Sequence, residues 1–299
     1  MKTNTIYQGD CLEEHDQIES GSVDLILTDP PYGNMKGISD KFDWDNAISP
    51  KKIFEVANRI LRRNGKLILF SQEPYTSQLI TEAIPNLPFS YRMVWLKDHF
   101  ANSLIAKKAP VSYFEDIVVF SKKHDTELKH PLREYAKEVK GYIGLSLSKI
   151  NEKLGHRKAE HFFYITSTQF SICTEETYQE LIREFDIDKM KGFKEYQKLK
   201  KLDLSYCNST FNLPEGQKYK SNVLEYSKDY DGYHPTQKPV ALLEDLIKTY
   251  TNEGDLVVDL TAGSGSTGVA CQNTNRDYIL IEQEEKYIDV AEDRLAGDE

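Results

Sequence analysis

The 299-residue chain carries 38 Lys and Arg against 48 Asp and Glu, a formal net charge of −10, with 39% hydrophobic and 29% charged residues. That balance fits a folded domain or two, excludes general disorder, and speaks against a protein that coats nucleic acid through bulk charge. No run of about 18 apolar residues could form a membrane span, and residues 1–10 lack the apolar core of a secretory signal, so a cytoplasmic protein without a membrane partner is expected.

In chain order, the apolar run 23–27 lies between Gly21-Ser22 and Asp29-Pro30-Pro31 and predicts a buried strand. Pro50 opens a helix over 51–63 with Ile53, Ala57, Ile60 and Leu61 on one face, and Asn64-Gly65 is its expected C-cap. Residues 66–70 predict the next strand, and 91–96 and 116–120 complete a β-rich set in which Trp95 is a core residue. The alternation of β and α segments predicts a parallel sheet with helices on both faces. Residues 125–222 lose that rhythm. They are polar, Lys-rich and helix-patterned, and 121–220 hold 19 of the 38 basic residues, so this stretch is expected to be an insertion between the parts 1–124 and 223–299. The α/β pattern then resumes. A helix over 240–250 has Pro239 at its first position; a strand over 256–260, a loop over 261–266 and a helix from 267 follow, then a strand over 278–281 and a helix over 284–295. Four separated cysteines (Cys11, Cys173, Cys207, Cys271) with no CxxC exclude a disulfide scaffold and a cysteine-rich zinc site, and no metal centre is expected.

Two segments carry chemistry. Asp29-Pro30-Pro31-Tyr32 follows a strand directly. Two prolines remove two backbone donors and fix φ, so the chain leaves the sheet stiffly and displays a carboxylate, free carbonyls and an aromatic ring where open α/β sheets bind ligands. The same residues also suit a rigid strand exit with a capping Asp. The second segment, from Asp259 through Thr261, Gly263, Ser264 and Gly265 to Gly268, joins a strand to a helix. Its glycines permit close approach of a ligand, the helix N-terminus favours an anionic group, and Glu282 ends the next strand, where an acid can bind ribose hydroxyls. A helix packed tightly on a strand is the alternative. The GxGxxG spacing also matches a dinucleotide fingerprint, which leaves a nicotinamide-dependent oxidoreductase open.

The pair resembles the amino-group DNA methyltransferases, which transfer a methyl group from S-adenosyl-L-methionine to adenine N6 or cytosine N4. In that family Asp-Pro-Pro-Tyr is the catalytic motif and a Gly-rich loop after an acidic strand end holds the cofactor. The catalytic motif comes first here and the cofactor loop last, an order similar to the β group of the family. Gly9-Asp10-Cys11-Leu12 resembles the segment reaching the cofactor adenine, and His234-Pro235-Thr236-Gln237-Lys238-Pro239 the segment lining its methionine end. The resemblance implies a Rossmann-like methyltransferase sheet in permuted motif order, with an inserted, mostly helical target-recognition region.

It also implies roles. The Asp29 carboxylate and Pro30 carbonyl would accept the N–H groups of the target amine, Pro31 would stiffen the turn, and Tyr32 would stack on a base flipped out of duplex DNA. Gly263 and Gly265, with Thr261 and Ser264 beside them, would admit the amino-acid end of the cofactor. Asp259 would take its ammonium, Glu282 its ribose and Asp10 its adenine amine, a solvated turn being the alternative for Asp10. Cys11 lies in that motif and also suits a buried packing position. Thr236 and Lys238 would meet the cofactor carboxylate; alternatively Thr236 caps the following helix and Lys238 contacts solvent. Asp rather than Ser at position 29 favours adenine over cytosine. In the insertion, Ile150 and Leu154 share a helix face, Gly155 supplies a turn, and Ala159, Phe162 and Phe163 recur at helical spacing. This predicts a helix-turn-helix presenting Arg157, Lys158 and His161 to DNA, or else a helical hairpin with a solvated face. The run Lys189, Lys191, Lys194, Lys198, Lys200 and Lys201 suits phosphate contacts or a wet surface. Double-stranded DNA, a second copy of the chain and a cognate restriction endonuclease are the expected partners. A DNA-binding regulator with a degenerate methyltransferase body is the competing reading from another class.

Overall fold

The computed structural model describes every residue except 34–45, 102–105, 126–129, 230–231, 235 and 298–299, and omits the side chains of 101, 205 and 207. Pro235 of the segment above therefore lies outside the described residues. The chain forms two compact units, one of Met1–Lys123 with Thr210–Glu299 and one of His124–Ser209. The insertion thus closes at Ser209, before the expected 222.

In chain order the elements are β1 (Thr5–Gln8), α1 (Cys11–Glu14), β2 (Val23–Thr28), α2 (Pro50–Ile60), β3 (Leu61–Ser71), α3 (Tyr75–Thr81), β4 (Phe89–Ala101), β5 (Ser112–Ser121), α4 (Arg133–Ile143), α5 (Leu147–Leu154), α6 (Glu175–Phe185), α7 (Tyr196–Cys207), β6 (Val223–Glu225), α8 (Val240–Tyr250), β7 (Leu256–Asp259), α9 (Ser266–Asn273), β8 (Asp277–Glu282) and α10 (Glu285–Ala296). The larger unit is built on one eight-stranded sheet in the order β1-β8-β7-β2-β3-β5-β4-β6. From β1 to β3 every pairing is parallel; β5 runs antiparallel to both β3 and β4. The sheet is therefore mixed, not wholly parallel. A hairpin needs no crossover helix, and β4 and β5 are consecutive in the chain.

Both faces are covered, as the alternation implies. Leu242, Leu243, Leu246 and Ile247 of α8, with Ala270, Ile288 and Ala291, pack on one face against Leu25, Leu27, Phe70 and Trp95. Ile53, Phe54, Ala57 and Ile60 of α2, with Tyr75 and Leu79 of α3, pack on the other against Ile26, Leu67, Leu69 and Phe120. Trp95 is buried, and its indole N–H donates to the Tyr226 carbonyl at 2.8 Å.

Three local expectations change. Helix α2 stops at Ile60, and Asn64-Gly65 forms no C-cap. Leu61 already pairs with Val23, and the register slips before Leu25 meets Lys66, so residues between form a bulge in β3. Asn64 supplies its positive φ of 65°, and a side chain at Gly65 would meet the Asp24 and Arg62 carbonyls at 3.0 Å. Strand β1 was not expected; only four residues long, it carries no periodic signal of its own. Pro239 caps α8 from outside the helix, and the Val240 N–H donates to Asp229 Oδ2 at 2.9 Å.

The smaller unit is helical, with its own core of Tyr135, Ala136, Val139, Ile150, Phe162, Phe163, Tyr178, Leu181 and Leu199. Helix α5 ends at Gly155 in a left-handed conformation, as the turn residue predicts. No recognition helix follows. Residues Glu160–Phe163 make a single 3-10 turn. Ala159, Glu160, Phe162 and Phe163 are all buried, and Glu160 collects Asn151 at 2.7 Å, Arg157 at 2.8 Å and Tyr164 at 3.1 Å. The expected second helix therefore does not form, and Arg157, Lys158 and His161 stay exposed on an irregular stretch rather than on a helix face.

Candidate active site

Adjacent parallel strands bring their carboxyl ends to one edge, the edge at which open α/β sheets bind ligands. Along it, in sheet order, lie Gly9-Asp10-Cys11 after β1, Glu282 at the end of β8, Asp259 at the end of β7 and Asp29 after β2. The early proline turn and the late glycine loop therefore meet, as the sequence predicts. They are also bonded. The Thr261 hydroxyl donates to the Asp29 carbonyl at 3.0 Å and lies 2.8 Å from the Thr28 hydroxyl.

The glycine loop is held from behind. Asp259 accepts from the Thr261 N–H at 3.1 Å and from the Thr267 hydroxyl at 2.5 Å. Burial pushes its carboxyl up to about 6, against the hydrogen bonds from Thr267, Thr261 and Thr28. Ser264 is buried, and Arg294 of α10 donates to its carbonyl at 2.6 Å and to its hydroxyl at 3.1 Å. Gly265 has a φ of 77°, and a Cβ there would stand 2.8 Å from the Cβ of Ala291. It is glycine for loop conformation and for the close passage of α10. Gly263, with a φ of 51°, faces the His234 ring, which a Cβ would meet at an ordinary 3.6 Å. Glu282 accepts from the Gly263 N–H at 2.8 Å and from the Gln283 and Glu284 N–H groups at 2.9 Å each.

Asp10 caps α1, accepting from the Leu12 N–H at 2.9 Å. Cys11 is buried, and its thiol is pushed up to about 12 by burial and then by the carboxylates of Asp10, Asp259 and Glu282. It is a packing thiol, and three acidic groups converge on it. Thr236 does not cap α8; its N–H and hydroxyl lie 3.2 and 3.1 Å from His234 Nδ1. Burial, with Lys238 and Lys286 nearby, holds the His234 ring down at about 4, so it is neutral at pH 7. In the same segment the Gln237 carboxamide is buried with neither Nε2 nor Oε1 hydrogen bonded.

At the proline turn, Tyr32 donates its hydroxyl to Asp29 Oδ1, and its ring lies 5.6 Å from that of Tyr75. Lys238 is buried away from solvent and donates to Asp29 Oδ2. Its ammonium thus sits on the Asp29 carboxylate, neither in solvent nor turned to the glycine loop as the resemblance implies. Burial raises the Asp29 carboxyl and Lys238 opposes the rise. Two further members were missed from sequence: Glu115 of β5, 3.4 Å from Lys238, and Lys97 of β4, which donates to Glu115. Burial alone would raise the Glu115 carboxyl, and the two ammonium groups hold it below its ordinary value. The available signal was Glu115-Asp116 inside an otherwise apolar strand, since a charge in a central strand needs a partner.

A carboxylate beside a glycine loop, with the acids Glu282 and Asp10 at the ends of the next two strands, suits a cationic nucleoside cofactor and an amine acceptor. The sequence profile described as DNA methylase, that of the N6/N4 methyltransferases, matches residues 23–293, and the chain belongs to that family. It is a DNA methyltransferase using S-adenosyl-L-methionine. Similar proteins include DNA adenine methyltransferase YhdJ of Escherichia coli, 25% identical over 98% of this chain and 83% of that protein. Type II methyltransferase M1.MboII of Moraxella bovis is 24% identical over 97% and 96%. Among solved structures, the M1.HpyAVI–SAM complex matches with a TM-score of 0.55 at 20% identity, covering 97% of this chain and 98% of that one. The cytosine-N4-specific PvuII DNA methyltransferase matches with a TM-score of 0.54 at 17% identity, covering 98% and 86%.

Proposed function

We propose that the chain methylates adenine N6 at a specific site in double-stranded DNA. The observation that carries this reading is a carboxylate at position 29, fixed at the end of β2 and bonded through its own backbone to the glycine loop. An exocyclic amine is a poor nucleophile because its lone pair is delocalised into the ring. Acceptors aimed at its N–H groups favour pyramidal nitrogen and stabilise the positive charge that develops there. Asp29 and the Pro30 carbonyl fill those roles, Pro31 stiffens the turn, and Tyr32 is the stacking surface for the flipped base. When bound, S-adenosyl-L-methionine would supply an electrophilic methyl group to the target nitrogen held by Asp29 and the Pro30 carbonyl, and the proton that this nitrogen gives up would pass to solvent.

For the cofactor, Glu282 and Asp10 hold ribose and adenine. The loop Thr261, Gly263, Ser264 and Gly265 admits the amino-acid end, and Thr236 lines the same space. The Gln237 carboxamide, buried without a hydrogen bond, is an orphaned donor and acceptor that a ligand against this segment would satisfy. Asp259, both oxygens engaged by hydroxyl and backbone donors, acts by shaping the loop. The smaller unit is the target-recognition region, contacting DNA through exposed side chains such as Arg157, Lys158 and His161.

The test incubates the purified chain with methyl-labelled S-adenosyl-L-methionine and mixed-sequence duplex, then digests to nucleosides. Label in N6-methyl-2′-deoxyadenosine is expected. Label in N4-methylcytosine overturns the base assignment, and unlabelled nucleosides with cofactor bound overturn the transfer reading.

A further inference from the structure

Four buried or nearly buried charges alternate behind the catalytic turn: Lys97, Glu115, Lys238 and Asp29. Lys97 holds Glu115 Oε1. Lys238 donates to Asp29 Oδ2 and stands 3.4 Å from Glu115 Oε2. That second oxygen is shut off from solvent and makes no hydrogen bond of regular geometry, which is costly for a carboxylate. The Lys238 ammonium thus has an occupied seat on one carboxylate and an open one beside it on another.

An ammonium tied to Asp29 opposes the positive charge that develops on an amine docked there, because the two cations would share one carboxylate in a poorly solvated space. We propose that Glu115 is a positioning residue for methyl transfer: its Oε2 is the second seat of the Lys238 ammonium, which moves from Asp29 to Glu115 as the target amine docks, leaving Asp29 to face the developing cation. Lys97 fixes one Glu115 oxygen and so keeps the other aimed at Lys238. The proposal rests on the reading that Asp29 accepts the amine. The groups that face Asp29 are Lys238, Glu115, Tyr32, Tyr75 and, across the sheet edge, Asp259. His234 faces Lys238.

The test measures single-turnover methyl transfer against pH in the full chain, with cofactor affinity and the KM for DNA alongside. Glu115→Gln should lower the plateau rate at least tenfold with KM for DNA and cofactor affinity within about twofold. Its acid limb should move to lower pH, because Lys238 is left wholly on Asp29 and a neighbouring negative charge is gone. Lys97→Met, which removes a cation and leaves Lys238 to neutralise Glu115 as well as Asp29, should move the limb the other way. Glu115→Asp should return the limb to its wild-type position. A wild-type rate in Glu115→Gln overturns the proposal, and so does a lost rate with an unmoved limb, the mark of a merely structural role. If Glu115→Gln does not fold, an unmoved limb in Lys97→Met overturns it alone. Asp29→Asn separates the two claims. Wild-type transfer by that variant fails the Asp29 reading itself, whereas an inactive Asp29→Asn beside a normal Glu115→Gln fails the present proposal only.

Discussion

The ends of β2 and β7 lie side by side, and each presents an aspartate, yet the two are treated differently. Asp259 is surrounded by neutral donors from Thr261 and Thr267 and carries the full burden of burial. Asp29 is met by an ammonium and a phenol, with a second carboxylate and ammonium behind. Neutral hydrogen bonds suffice where a carboxylate only has to hold a loop in shape. Compensating charge appears at the carboxylate that, on the proposed function, stays ionised and answers a charge that forms during reaction. Substitutions at the β7 end should therefore be felt as stability, and those at the β2 end as rate.

The sharpest probe of the β7 end is Gly265→Ala, which forces a left-handed residue and drives a methyl into Ala291. A loss of about 2–4 kcal/mol in urea unfolding is expected. Full stability would show that α10 does not constrain the loop. The next probe is pH. Asp259 has its carboxyl raised from 3.8 to about 6, so the native state binds the extra proton and acidification through that window stabilises. His234 is lowered from 6.5 to about 4, so the unfolded chain binds the proton and acidification through nearly the same window destabilises. The two largely cancel in the native protein. His234→Gln removes one side of the balance, and between pH 7 and pH 4 its stability should gain about 3 kcal/mol relative to wild type. Parallel stability–pH curves would remove His234 from this role. A smaller effect is expected for Gly263→Ala, where only the positive φ is opposed and the space is open: about 1 kcal/mol. Smallest is Lys158→Ala in the exposed stretch after α5, which should weaken DNA binding uniformly across sequences and reduce the salt slope by about 1. An unchanged slope would take Lys158 out of the interface.

What could be read in advance follows the same division. The proline turn and the glycine loop are local signatures, and their chemistry was legible because the residues that make it are contiguous. Glu115 and Lys97 were not, because their significance depends on Lys238 and Asp29, far away in sequence and joined only through the sheet. Asp229, which caps α8 from eleven residues upstream, was missed because it stands outside the N-cap position at which a capping side chain is sought. The helix-turn-helix pattern misled for a different one. Ala159, Phe162 and Phe163 fall at helical spacing, but their burial closes a 3-10 turn around Glu160, and spacing alone does not separate the two outcomes. Asn64-Gly65 has the chemistry of a helix end, and here the same left-handed preference serves a strand bulge.

The most direct measurement pairs single-turnover transfer with calorimetric cofactor binding for Asp29→Ala. The account predicts a rate lowered by on the order of 10²–10³-fold or more, with cofactor affinity within about twofold of wild type. A rate near wild type, or a cofactor affinity that falls in step with the rate, would contradict it.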